Sequence, residues 1–86
     1  MRLKPEFVTK DVDDTQFLIA LGGDAFNGLV RSNRTAAFIV NQLKTDTSEA
    51  AIVNAMCARY DAPRDVIAAD VASILDTLRR IRALDE

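Results

Sequence analysis

Hydrophobic positions recur along this chain at two different periods, and the change falls at residue 33. Before it, residues 7–32 alternate as short strands do. "EFVTKDV" carries the β-favouring Phe7, Val8 and Val12 and stops at the acidic turn Asp13-Asp14. "TQFLIAL" sets Phe17, Ile19 and Leu21 on one face, then meets Gly22-Gly23-Asp24. Glycine there supplies the positive φ that a tight hairpin requires. "AFNGLVRS" reads as the third strand, and two tight turns in succession predict an antiparallel meander.

After Asn33 the period becomes 3.6. Ala36, Ile39, Val40 and Leu43 follow the i, i+3, i+4, i+7 spacing of one helix face, with Asn33 where an N-cap belongs. "KTDTS" breaks this helix, and Ser48 or Thr47 can cap a second whose apolar side is Ile52, Val53, Met56 and Tyr60. "YDAP" ends it, because the residue before Pro63 disfavours helical angles, and Pro63 suits the first turn of a third helix. That helix carries Ile67, Val71, Ile74, Leu78 and Ile81, with Val66 and Leu75 widening the stripe. The pattern predicts an α+β fold of three antiparallel strands and three helices, in a single domain spanning residues 1–86.

Composition narrows the chemistry. The 86 residues are 49% hydrophobic and 28% charged, ordinary for one small globular core. Cys57 has no second cysteine to bridge, and the absence of histidine removes the commonest general base and metal ligand. No apolar stretch approaches the ~20 residues that span a bilayer, and "MRLKPEFVTKDVDD" lacks a signal peptide's apolar core. A cytoplasmic protein without membrane association is therefore expected, which argues against glycosylation of Asn33-Arg34-Thr35. A net charge of −2 gives no electrostatic reason to expect nucleic acid as a partner.

Few side chains suggest a reaction. Asp11, Asp13 and Asp14 lack the glycine and bidentate glutamate of a calcium loop and read as a charged hairpin turn. Asp61, Asp65, Asp70 and Asp76 have no accompanying nucleophile and base, and Asp65 fits the electropositive first turn of the third helix. Arg79, Arg80 and Arg82 stand where cations complement a helix C-terminus. Cys57, with no cation beside it in sequence, reads as a small core-side thiol. No enzyme activity and no cofactor are expected. Gly28 has two readings: a bulge that blunts an edge strand, or a place where another backbone comes alongside.

Taken together, Phe26-Asn27-Gly28, Asn33 with Thr35, Phe38-Ile39, Tyr60-Asp61 and Asp70-Val71 stand in an order and spacing that resembles the PqqD family, the recognition elements of ribosomally made, modified peptides. The resemblance spans nearly the whole chain. Ser32, Ala36, Val40 and Ala83-Leu84 depart from the family's usual leucine, glycine, tryptophan and Gly-Leu, and Ser32 and Val40 bear on local packing and peptide preference. The resemblance implies a winged helix-turn-helix that binds the leader segment of a precursor peptide. It presents that leader to a modifying partner, often a radical S-adenosylmethionine enzyme whose iron–sulfur clusters are its own.

In such proteins the leader adds a strand beside the third strand, in a groove walled by the third helix. The implied site is then Leu29, Val30, Val66, Ile74 and Val71, with Gly28 and Arg31 contributing backbone. Arg31 would also attract an acidic leader residue. Asp70, matched to the family's pattern, belongs to the implied site as well, though it is read equally well as a solvated helix position or a bond to a neighbouring strand, and Val71 as core. The free sheet edge leaves homodimerisation open. The rival reading is a winged-helix DNA-binding module, which needs a basic recognition helix, whereas the second helix offers only Arg59.

Overall fold

Asn33 turns the chain from strand to helix by capping it. Its backbone is extended (φ −74°, ψ 177°) and its side chain accepts the Ala36 N–H at 2.8 Å. The computed structural model describes residues 1–20 and 29–86, with the backbone alone for 29–32. Leu21, the Gly22-Gly23-Asp24 turn and Phe26-Asn27-Gly28 lie outside the described residues.

The elements run β1 (Arg2–Leu3), β2 (Phe7–Val12), β3 (Thr15–Ala20), β4 (Leu29–Ser32), α1 (Arg34–Gln42), α2 (Glu49–Arg59), α3 (Arg64–Arg80) and β5 (Leu84–Asp85). Strands β2, β3 and β4 form one antiparallel sheet in that order, so the predicted α+β meander followed by three helices is what the chain adopts. Val12 pairs with Thr15 across the Asp13-Asp14 turn, where Asp13 takes a left-handed φ of 55°. Among the described residues no helix is long and apolar enough to cross a membrane.

The helices bury the faces their spacing predicts. Ala36, Ile39, Val40 and Leu43 of the first, and Ile52, Val53 and Met56 of the second, all lie in the core. Ser48 caps α2 by accepting the Ala51 N–H at 3.1 Å. Pro63 takes the cap position of α3 rather than its first turn, with no side-chain bond to offer. In α3 the buried line is Ile67, Val71, Leu75 and Leu78, while Ile74 and Ile81 sit at the core's margin.

In the sheet, the face carrying Phe17 and Ile19 is the half-exposed one. Gln16 and Leu18 point into the protein instead, opposite Asp11 and Thr9. The strand is apolar on both faces, so alternation alone does not say which is covered. The helices cover the face that holds Leu18 and Phe7.

Two-residue strands have no period to read, and the β1–β5 pair is invisible in the pattern. Arg2 pairs with Asp85 and Leu3 with Leu84, while Lys4 N–H donates to Ala83 O at 2.8 Å. The chain reaches β5 through a reversal at the end of α3. Ala83 N–H donates to Leu78 O at 2.9 Å and Arg82 N–H to Arg79 O at 3.0 Å, the two bonds of a Schellman motif. Its left-handed position is held by Arg82 at φ 60°, where a Cβ crowds the backbone. Arg82→Gly should therefore raise folding stability, by about 0.5–1 kcal/mol, measured by urea denaturation.

Beside this turn Arg79 donates to both Glu86 carboxylate oxygens, Nε to Oε2 at 3.1 Å and Nη2 to Oε1 at 3.0 Å. The arginine cluster thus has an ion-pair role in addition to its place at the helix end. The guanidinium holds the Glu86 carboxyl below its ordinary 4.5. A carboxylate lowered on folding stabilises the fold above its unfolded value, and that contribution disappears as pH falls through the folded one. Followed by NMR, the Glu86 side-chain carbon should titrate below 4.5, and Arg79→Ala should return it toward that value.

Candidate functional site

Strand β4 lies at the border of its sheet. It pairs with β3 through Leu29↔Ile19, Val30↔Leu18, Phe17↔Arg31 and Gln16↔Ser32, and among the described residues it has no partner on its other side. An edge of this kind presents unpaired N–H and C=O groups to any extended chain that approaches. The register sets Val30 across from the inward Leu18, and Leu29 and Arg31 across from the half-exposed Ile19 and Phe17.

Where β4 passes into α1, a cleft of about 140 Å³ opens toward α3, lined by Asn33, Thr35, Asp70, Ser73 and Ile74. Asp70 is exposed and Ile74 half-buried against the core. Val66, one turn before Asp70 on the same line of α3, is 50% exposed, unusual for a valine on a helix that also feeds the core. Residues spaced by four along a helix share a face, so Val66, Asp70 and Ile74 form a strip with an apolar residue at each end.

Val71 does not belong to that strip. It is 0% exposed, enclosed in the core formed by all three helices, and cannot present a surface to a ligand in the folded protein. One residue of helical rotation, about 100°, separates a wall of the cleft from the centre of the core. Of the residues expected at the site, then, the cleft brings Asp70 and Ile74 together, and Val66 extends their line. Val71 supports the helix from behind, β4 supplies the backbone of Leu29, Val30 and Arg31, and Gly28 lies outside the described residues.

A second cavity, of about 280 Å³, sits on the other side of the α1 N-terminus, and sequence reasoning did not assemble it. It is open to solvent and lined by Asp11 and Asp14 of the β2–β3 hairpin, Arg34 and Phe38 of α1, and Arg59 and Tyr60 at the end of α2, among others. Phe38 and Tyr60 meet edge to face, centroids 5.7 Å apart and planes at 78°. The Arg59 guanidinium stands 5.8 Å from the Phe38 centroid and 6.0 Å from that of Tyr60. Both aromatics belong to the motif pattern, but nothing in their spacing says that they touch.

Cys57 is half-buried against the core, as a small thiol should be. A cation does approach it, from α3 rather than from its own helix: Arg64 Nη1 lies 3.9 Å from Sγ while Nη2 donates to Asn54 Oδ1 at 2.7 Å.

The profile of the family described as coenzyme PQQ synthesis protein D (PqqD) matches residues 10–84 of the chain. Two solved structures share its fold. One is TbiB1 in complex with the TbiA(beta) leader peptide, at TM-score 0.83 and 22% identity over 99% of this chain and 95% of that one. The other is lasso peptide synthetase B1 complexed with the leader peptide, at TM-score 0.75 and 26% identity over 91% of this chain and 88% of that one. No curated protein matches the chain.

Proposed function

This chain belongs to the PqqD family, and from that membership and its open β4 edge we propose that it is a non-catalytic recognition module for the leader of a ribosomally made precursor peptide. The leader adds a strand along β4, lies against the Val66–Asp70–Ile74 strip of α3, and is handed to a modifying enzyme, a radical S-adenosylmethionine enzyme or another enzyme that modifies such peptides. The two fold relatives were both captured with leader peptides, which supports this reading. The observation that carries it is a strand edge with no partner among the described residues, beside a cleft and a strip that runs from the exposed Val66 to the half-buried Ile74.

The energetics explain why both parts are needed. Each backbone bond to the edge contributes about 1 kcal/mol net. Ordering each peptide residue costs ~1–2 kcal/mol, so the ladder alone does not hold a flexible leader. Apolar anchors at ~1.5–3 kcal/mol apiece tip the balance, and the exposure of Val66 and the half-burial of Ile74 support them as the anchors' contacts. Main-chain pairing then supplies general affinity, and the side-chain pockets supply the choice of peptide.

The test is an amide NMR titration of the labelled protein with the leader of the precursor encoded beside its gene. Saturable shifts at residues 29–32 and 66–74 are expected. Their absence at high micromolar peptide, or equal shifts with a scrambled leader, would sink the proposal.

A further inference from the structure

Gln16 is 6% exposed, and among the described residues its side-chain amide is used at one end only: Nε2 donates to Asn41 Oδ1 at 3.0 Å, while Oε1 is buried without a partner there. Buried acceptors are nearly always satisfied, so such a group calls for a reason. Gln16 lies in the wall of the cavity at the hairpin tip, and Asn41, which holds its other end, lines the same space.

The rest of the lining specifies more. Arg34 and Arg59 have no ion-pair partner among the described residues, and Arg59 is kept in place by the Phe38 and Tyr60 rings. Two guanidinium groups favour a carboxylate, with its oxygens matched to their paired N–H groups. Asp11 and Asp14 on the hairpin side repel a polyanion and welcome N–H donors. A carboxylate attached to a chain of amides suits the two sides, its acid group toward the arginines and its N–H groups toward the hairpin carboxylates: an acidic residue of a polypeptide.

The cavity also adjoins the corner where β4 passes into α1. It shares Asn33 with the cleft beside α3, and Asn33 directly follows Ser32, the last residue of β4. A chain leaving the β4 edge at this end arrives at that corner. We propose that the hairpin-tip cavity is a second subsite for the peptide bound along β4, taking an acidic residue from just beyond the added strand, its carboxylate on Arg34 and Arg59 and a backbone N–H toward the Asp11 and Asp14 side. This rests on the strand-addition reading, and the test separates the two.

The cavity is probed first with N-acetylglutamate N-methylamide and its neutral glutamine counterpart, by NMR on the full chain. The expected result is saturable shifts of the Gln16 side-chain amide and the Arg59 Nε–H, about tenfold weaker for the glutamine probe and lost in Arg59→Gln. Equal response to both probes, or none, overturns the site. The leader peptide is then titrated into wild type and Arg59→Gln. The variant should bind several-fold more weakly while its β4 shifts at saturation stay the same. Unchanged affinity would mean that the leader does not fill the cavity. Absence of β4 shifts in wild type would refute strand addition instead, and the capped-glutamate result would still judge the cavity by itself.

Discussion

Replacing Leu75 by alanine is expected to remove about 2–5 kcal/mol of folding stability, the largest effect of any single truncation in α3. Leu75 is 0% exposed and belongs to the core that joins the helices to Leu18 and Phe7 of the sheet. Truncation takes away its transfer energy and leaves a void that close-packed neighbours fill only in part. A domain of this size holds on the order of 5–10 kcal/mol in total, so the loss is a large fraction of what keeps it folded. Thermal unfolding should drop by roughly 10–30 °C, and urea denaturation should give the free energy directly. A change below about 1 kcal/mol would mean that the helices do not converge on this residue.

Ile74→Asp, one residue earlier, should do the reverse. It is expected to weaken leader binding by about 10–150-fold, the equivalent of one apolar anchor of ~1.5–3 kcal/mol, with the protein still folded. Ile74 is half-buried at the margin of the core and lines the cleft beside β4, so its outer surface is available to a ligand. The new carboxylate would also stand one turn from Asp70 and repel an acidic leader residue. Fluorescence anisotropy with a labelled leader measures the affinity, and circular dichroism checks the fold. Unchanged affinity in a folded variant would remove this face of α3 from the binding site.

The opposite fates of these neighbours show where reading the sequence reaches its limit. The apolar residues of the third helix form a stripe too broad for one interface: Val66, Ile67, Val71, Ile74, Leu75 and Leu78. Periodicity locates the stripe and leaves undivided which part meets the core and which part borders the cleft. The packing of α3 against α2 and α1 makes that division, sending Val71 and Leu75 inward and leaving Val66 exposed and Ile74 half-buried at the margin. In β3 the same ambiguity arises at period two, because Phe17, Leu18 and Ile19 are all apolar and only the docking of the helices selects Leu18.

What the sequence determined by itself is everything set within a few residues. The cap at Asn33, a cap at Thr47 or Ser48, the reversal at Asp13-Asp14, the three helices and the order of the meander strands all follow from local hydrogen bonding and backbone preference. The motif order was enough to indicate the family. Tertiary structure alone decided what joins distant parts of the chain: the β1–β5 pairing, the Arg79–Glu86 ion pair, the contact of Phe38 with Tyr60, and the Gln16–Asn41 bond that leaves an acceptor buried in a cavity wall. Local rules act over one helical turn or one hairpin, whereas these contacts depend on how finished elements pack, and no period in the sequence encodes that.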